Sequence, residues 1–272
     1  MSGRRTGPFR HERHLPTIND FVITKALNRK DPFAKRQAQE NRRRNDTTLM
    51  ITAVPEHGLA VEIDATLEQQ FKRLIDESYP SIDARRKVDS GTFIMEREDR
   101  RSCWFQYLYQ DLDRDHEIAW AFDDRANVQC LFEVADRTGD GADEFWSLPD
   151  LFISINGSIM LANELWTKFG FYGNTVISAK LAIPTLVPLL MQGHYHSLFY
   201  DDSFMIPEAA VRRVYTSYPV SAAATAAFLT YDRRTRGRQD SLTALGNQML
   251  RDLRFGVDTS ALRIALTPLF KG

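Results

Sequence analysis

The sequence predicts an α+β fold in which antiparallel sheet dominates residues 48–135 and helices are concentrated in the second half. Two observations carry this prediction. Short apolar runs separated by turn-forming residues precede residue 136, whereas a single apolar pattern of period 3.6 continues for about six turns after residue 147. A chain of 272 residues with 43% hydrophobic content is also long enough to fold without disulfides or metals.

The first 45 residues are expected to form a basic arm. They hold 12 Lys and Arg against 4 Asp and Glu, whereas the remaining residues hold 23 basic against 32 acidic side chains. Residues 1–16 are polar. A short helix is expected next, with four apolar residues on one face: Ile18, Phe21, Val22 and Leu27. Asp31 and Pro32 then predict the start of a basic helix that continues to Arg44.

The segment after the arm predicts two strands and a helix. TLMITAV, residues 48–54, is typical of a buried strand that stops at Pro55. LAVEID, residues 59–64, is expected to form a second strand. Thr66 and Gln69 have the spacing of a capping box. The helix that follows is expected to present four apolar residues on one face: Leu67, Phe71, Leu74 and Ile75.

Residues 91–135 predict an antiparallel meander of four strands. The runs GTFIMERE, SCWFQYLYQ, HEIAWAFDD and VQCLFEVAD are rich in β-branched and aromatic residues, and DLDRD and DDRAN provide turns between them. The acidic loop DRTGDGADE, residues 136–144, closes this half and is the expected boundary between two subdomains. The predicted division is therefore an arm at 1–45, a subdomain at 46–140 and a second at 141–272.

A long helix is predicted for residues 148–169. FISI-NG-SIML also has the appearance of a hairpin around Asn156-Gly157, but apolar residues recur at three- and four-residue steps from Leu148 to Phe169. Ser147, Pro149 and Asp150 suit the start of a helix, and Gly170 suits its end. A glycine within the helix costs about 1 kcal/mol, which the apolar pattern outweighs.

The rest of the chain predicts a mixture of strands and helices. A strand is expected in GFYGNTVISAKLAI, with further strands near 194–205 and 210–218. SAAATAAFL, residues 221–229, is expected to be helical. A last helix is expected from Asp240 to about Arg254, ended by Gly256, with four apolar residues toward the core: Leu242, Leu245, Met249 and Leu253.

Composition favours a cytoplasmic protein without a membrane partner. The two cysteines, Cys103 and Cys130, lie in apolar runs, as buried reduced thiols do. No stretch approaches the roughly 18–20 apolar residues of a membrane span. The first 16 residues also lack the apolar stretch of a secretory signal.

The sharpest local candidate for chemistry is Gly-His-Tyr-His-Ser, residues 193–197. On a strand, His194 and His196 point to the same side, and Asp201 and Asp202 follow closely. These four residues are the candidate metal ligands of a metal-dependent hydrolase. Surface or hydrogen-bonded histidines on a strand are the competing interpretation, because no HExxH or CxxC pattern accompanies them.

No cofactor is expected from the sequence. DRTGDGADE lacks the ligand spacing of a calcium loop, since the twelfth residue from Asp136 is Ser147 rather than Glu. GxxxxGK[ST], GxGxxG and GxSxG are all absent. Carboxylates of the meander, such as Glu117, Asp123 and Glu133, are not distinguishable from ordinary polar strand residues.

The arm has two open interpretations. Arg36, Arg42, Arg43 and Arg44 are candidate contacts to nucleic-acid phosphates, which would give weak binding without sequence preference. The arm is equally suited to docking on its own acidic body or on a protein partner.

The order of short motifs resembles that of a known group of proteins. LMITAVP, the meander, a helix ending in Phe-Gly-Phe-Tyr-Gly, the strand NTVISAKLAI and a helix ending in LGNQMLRDLRFG follow one another, and RRTGPF stands near the start. This order resembles the carboxyl-terminal region of bacterial proteins whose amino-terminal part is a Schlafen/AlbA-type DNA-binding domain. The AlbA-like domain itself is not recognisable here, so the resemblance assigns no functional residue.

Taken together, the sequence favours a non-catalytic binding or regulatory module that is associated with nucleic acid through the arm. The alternatives are the metal-dependent hydrolase centred on His194 and His196, and a structural subunit that binds another protein.

Overall fold

A seven-stranded antiparallel sheet organises the protein. The computed structural model describes residues 48–55, 59–78, 92–99, 102–111, 114–133, 135–137, 144–182, 189–190, 206–207, 209–213, 221–229 and 235–270. Within these residues the fold is α+β, as the sequence predicts, and every strand pair of the large sheet is antiparallel.

The large sheet combines strands from both halves of the chain. Its members are β1 (Thr48–Pro55), β2 (Thr92–Asp99), β3 (Ser102–Asp111), β4 (Arg114–Asp123), β5 (Val128–Glu133), β8 (Asn174–Ala182) and β11 (Ser221–Leu229). Their spatial order is β11-β8-β1-β5-β4-β3-β2. The predicted meander is therefore confirmed as β2 to β5, and β1 joins it to the strands of the second half.

Two small sheets lie beside the large one. β6 (Ala135–Arg137) pairs antiparallel with β7 (Glu144–Ser147), and β7 pairs parallel with β9 (Leu189–Leu190). β10 (Val211–Arg213) pairs with β12 (Phe255–Val257). The acidic loop thus connects two paired strands, β6 and β7, although residues 138–143 lie outside the described part.

The four helices are α1 (Ala65–Ser78), α2 (Leu148–Lys168), α3 (Thr235–Asp252) and α4 (Thr259–Ala265), followed by a 3₁₀ helix at Thr267–Phe270. Their buried apolar side chains share one cluster with Leu49, Ile51 and Ala53 of β1. We call the side of the sheet that carries these three residues the helix face. The opposite side, which carries Met50, Thr52 and Val54, is the second face.

Helix α1 packs against the meander. The ring of Phe71 lies 4.5 Å from that of Phe122 and 5.4 Å from that of Phe105, and the predicted apolar face is buried. The start of the helix differs from the prediction: Asp64 is the cap, since its Oδ1 accepts a hydrogen bond from the backbone N–H of Leu67 at 2.7 Å. Thr66 is already within the first turn.

Helix α2 is confirmed over almost its whole predicted length, and it is buried on most sides. Its end is a Schellman motif. The N–H of Phe171 donates to the carbonyl of Trp166 at 3.0 Å, and the N–H of Gly170 donates to that of Thr167 at 2.9 Å. Gly170 has the positive φ of 66° that this ending requires.

The same motif fastens the helix to the meander. The ring of Phe171 packs edge-on against Trp166 at 6.2 Å. The indole Nε1–H of Trp166 donates to the carbonyl of Ala126, in the β4–β5 turn, at 2.7 Å. The long helix is therefore anchored at one end by a single buried hydrogen bond to a turn 40 residues earlier.

Helix α3 begins and ends differently from the prediction. It starts at Thr235, five residues before Asp240, where Gln239 Nε2 holds the first turns to α4 by donating to the carbonyl of Arg263 at 2.7 Å. It ends at Asp252, and Arg254 rather than a glycine takes the left-handed conformation, with φ 63°. Gly256 lies in β12. The four predicted core residues of α3 are confirmed as buried.

Two strand and helix predictions were wrong. Residues 59–64 are extended and alternate between partly buried and exposed, but the one backbone bond printed to a neighbour, from Val61 N–H to the carbonyl of Asp124, does not make a ladder. Residues 221–229 form strand β11 instead of a helix. Nine residue pairs with β8 outweigh the helix propensity of alanine, which is worth less than 1 kcal/mol per residue.

The predicted division near residue 140 does not separate two hydrophobic cores among the described residues. β8, β11, α2 and α3, from beyond that point, share the large sheet and its main cluster with residues from before it. The predicted strand at 210–218 is described only at Val211–Arg213. The predicted strand at 194–205 and the arm at 1–45 lie outside the described residues. No helix in the described part is long and apolar enough to cross a membrane.

The Trp166 hydrogen bond generates the first prediction. In Trp166→Phe the ring is smaller and the buried carbonyl of Ala126 loses its donor, so we expect the free energy of unfolding to fall by about 2 kcal/mol or more. Urea unfolding measures the change. Phe171→Leu is the control: it keeps the indole bond and is expected to cost about 1 kcal/mol for the lost ring contact. Equal effects in both variants would contradict the anchoring role.

The second prediction concerns the crossing of α2 and α3. A Cβ at Gly246 would overlap the buried ring of Phe152. We expect Gly246→Ala to destabilise the protein by about 1–3 kcal/mol, and Phe152→Leu in that background to recover part of the loss. Gly170→Ala is the control, because that Cβ would meet open space and only backbone strain remains. Additive effects of Gly246→Ala and Phe152→Leu would show that the helices do not meet there.

Candidate functional site

Two adjacent cross-strand rows of the sheet have opposite chemistry. One row lies on the helix face and is apolar in all seven strands: Ala224, Ala179, Ile51, Cys130, Trp120, Phe105 and Met95. The next row lies on the second face and contains mainly polar residues: Thr225, Ser178, Thr52, Gln129, Ala121, Trp104 and Glu96. We call this second set the polar row.

The register of three central strands brings the polar row together. Thr52 of β1 is the direct partner of Gln129 in β5 and of Ser178 in β8. Directly opposed residues of antiparallel strands have Cβ atoms about 4.5–5.5 Å apart and lie on the same face. The three side chains therefore form one continuous polar strip in the middle of the sheet.

The strip is buried and partly hydrogen-bonded. Thr52 and Ser178 are almost fully buried, and Gln129 is half-buried. Gln129 Nε2 donates to Thr52 Oγ1 at 3.5 Å, a long contact. Gln129 Oε1 is buried and accepts no hydrogen bond from a described protein atom. A buried acceptor without a donor costs about 1–3 kcal/mol, so the strip is suited to a covering group that donates one.

Small residues border the strip on the same face. Ala119 and Ala121 of β4 form a second apolar cluster with Leu131 of β5, and Met50 packs against it. Lys180 of β8, the partner of Met50, is exposed. The second face is thus a shallow floor of neutral hydroxyl, amide and methyl groups with one ammonium at its side. Such a floor is suited to holding another surface by packing and neutral hydrogen bonds.

Asp123 stands at the end of β4 on the second face. Its Oδ1 accepts hydrogen bonds from the backbone N–H groups of Arg125 and Asn127, each at 3.0 Å, and its Oδ2 accepts one from Asn127 Nδ2 at 2.7 Å. Burial raises the pKa of this carboxyl above the ordinary value of 3.8, although the bonds from Asn127 and Arg125 oppose the shift and the charge of Asp124 adds to it. Its bonds give Asp123 a structural role, closing the β4–β5 turn that also holds Trp166.

The residues singled out by sequence lie elsewhere. His194, His196, Asp201 and Asp202 are outside the described residues, and so are Arg36, Arg42, Arg43 and Arg44. The metal site and the nucleic-acid contacts therefore stay predictions. Among the described side chains, no group of three or more His, Cys, Asp or Glu residues is placed to hold a metal ion. Cys130 is buried on the helix face and forms no disulfide.

The sequence did not reveal the polar row, although a signal was present. Thr52, Gln129 and Ser178 each interrupt an otherwise apolar strand, in LMITAV, VQCLF and TVISAK. An isolated polar residue in a strand usually faces solvent, so each position alone is unremarkable in composition. Only the register places all three in one line.

Asp123 generates the third prediction. A carboxyl with a raised pKa binds its proton more tightly in the folded state, so its contribution to stability is complete below pH 3.8 and is lost as pH rises through the folded pKa. The free energy of unfolding of the parent, relative to Asp123→Asn, should therefore fall as pH increases from about 3.5 to 7.

Urea unfolding at several pH values measures this difference. Asp252→Asn, at an exposed position of α3, is the control for the loss of one negative charge. A difference between parent and Asp123→Asn that rises with pH would show that the hydrogen bonds to the carboxylate outweigh its burial.

No protein-family model matches the chain, and no curated protein matches it either.

Proposed function

We propose that the protein is a non-catalytic binding module that contacts nucleic acid through its basic amino-terminal segment, residues 1–45. The observation that carries the proposal is the separation of charge along the chain. These 45 residues hold 12 Lys and Arg against 4 Asp and Glu, within a chain of net charge −1. A concentrated basic segment gains affinity for phosphates by releasing condensed counterions, whatever the base sequence.

The attachment of the segment to the fold supports a binding role. The chain enters the described structure at Thr48, which pairs with Glu133 on one side and with Ala182 on the other. β1 is thus held on both edges, and the basic segment is tethered to the centre of the sheet rather than to a frayed terminal strand. A rigid attachment limits the positions from which the segment reaches a partner and so limits the entropy lost on binding.

The placement of the other polar groups is consistent with this proposal. Asp123 and Asp258 accept hydrogen bonds from backbone N–H groups of a turn and of a helix start. Thr52 accepts from an amide, which is not a base that would activate a hydroxyl for nucleophilic attack. A reducing, cytoplasmic setting belongs to the proposal and is supported by the buried thiol of Cys130.

The fourth prediction tests the proposed function in the full chain. Labelled duplex DNA is titrated at low and at near-physiological salt against the parent and against Arg42→Ala/Arg43→Ala/Arg44→Ala. We expect weak binding that falls steeply with salt, is equal for unrelated DNA sequences, and has a salt slope smaller by about 1–2 in the variant. The slope changes by less than three contacts because consecutive arginines on a helix do not all face one backbone.

A matched control removes three exposed arginines from the folded body: Arg73→Ala/Arg212→Ala/Arg251→Ala. This variant has the same net charge as the arm variant, so general electrostatics predicts equal losses, whereas the proposal predicts a loss only for the arm variant. No binding by the parent even at low salt would refute the proposal. That result would leave the arm as a segment that docks on the acidic body or on a protein partner.

A further inference from the structure

The second face of the sheet is too well buried to be open to solvent. Residues on this face are 0% exposed at Ala119, 3% at Thr52, 4% at Ser178 and 7% at Leu131. An alanine can be shielded by larger neighbours, but a leucine on an uncovered face retains much of its surface. A covering layer is therefore required over the middle of the sheet.

The described helices do not supply that layer. α1, α2, α3 and α4 all bury apolar side chains in the cluster of the helix face. The second-face cluster of Ala119, Ala121, Leu131 and Met50 contains sheet residues alone within the described part of the chain. The residues that cover this face therefore belong to a segment outside the described ranges, or to another molecule.

We propose that residues 17–27 of the amino-terminal segment form an amphipathic helix that covers the polar row and the small residues beside it. The proposal is independent of nucleic-acid binding. Thr17 and Asp20 have the spacing of a helix start, and Ile18, Val22 and Ala26 recur every four residues, so they share one side of a helix with Phe21 beside them. Eleven residues make a helix of about 16 Å, which spans three to four strands about 4.8 Å apart.

Topology favours this segment over the other long stretches outside the description. Residues 79–91 follow α1, residues 191–205 lead into Ile206, and residues 214–220 follow Val211; α1, Ile206 and Val211 all belong to the helix-face core. Residues 1–47 are instead attached at β1, the central strand, where Thr52 and Met50 lie. The 21 residues from Leu27 to Thr48 reach roughly 70 Å when extended, far more than the sheet's width of about 30 Å.

The chemistry of the two surfaces also fits. The floor of Ala119, Ala121, Thr52 and Ser178 is small, so a helix can approach closely with larger side chains pointing down. Polar groups of the segment, such as Asn19, are available as donors to Gln129 Oε1, the buried acceptor that has none among the described atoms. Docking would hold basic residues on both sides of the helix, at 4–13 and 29–44, against one face of the body.

Thiol labelling of the full chain tests the proposal. Ser178→Cys places a thiol in the centre of the polar row with little change in size. Its reaction with a maleimide is followed by peptide mass spectrometry, and native Cys130, buried on the helix face, reports in the same sample whether the core stays folded. We expect slow labelling of the introduced thiol in this variant. Adding Val22→Asp should accelerate it by about tenfold or more, because burying a carboxylate opposes docking.

Thr24→Asp is the matched control. It adds the same charge two residues away on the opposite side of the predicted helix, so the introduced thiol should remain protected. If Val22→Asp also exposes Cys130, the milder Val22→Ala replaces it, with a smaller acceleration expected at position 178 alone. Faster labelling with Val22→Asp and unchanged labelling with Thr24→Asp would support the proposal.

Three results would overturn it. Equal protection in all variants would mean that another segment covers the second face. Protection that is lost on dilution, together with a dimer in light scattering, would identify a second copy of the chain as the cover. Rapid labelling at position 178 without any change in the segment would show that the face is open.

Discussion

The structure depends on the two ladders of β1. This strand pairs with β5 on one edge and with β8 on the other, and six and eight residue pairs respectively hold it there. Because β5 leads into the meander and β8 leads from α2 toward the rest of the second half, β1 is the only strand of the described sheet that connects these two groups. Loss of either ladder would separate the sheet into a four-stranded and a two-stranded part.

The period of two along β1 then decides what each side of the sheet does. Leu49, Ile51 and Ala53 meet the helices, and Trp166 and Gly246 show how closely those helices are fitted, one by a hydrogen bond and the other by the lack of a side chain. Thr52, one residue out of phase, belongs to the polar row. A shift of one residue in the register would exchange the two faces, so the same ladders that build the core also assemble the candidate binding surface.

Local signals in the sequence predicted the parts of the fold that local forces build. Helix α2 repeats its apolar pattern for six turns and ends at a glycine, so no distant contact was needed to recognise it. Strand β11 shows the opposite case: SAAATAAFL carries a helix preference, but its conformation is decided by β8, about 40 residues earlier. The polar row depends on pairing between Thr52 and Gln129, 77 residues apart, and no local pattern encodes that register. The cap of α1 moved from Thr66 to Asp64 because both residues are able to cap, and the packing of Leu67 and Phe71 selects the turn.

Amide hydrogen exchange in the native state tests the claim that β1 unites both halves of the chain in one sheet. The amides in the β1–β5 ladder and those in the β1–β8 ladder should exchange with the same free energy, equal to that of global unfolding, and should respond alike to low denaturant. Exchange of β8 and β11 amides at a distinctly lower free energy than those of β4 and β5 would contradict the account. That result would show that the second half opens as a separate unit.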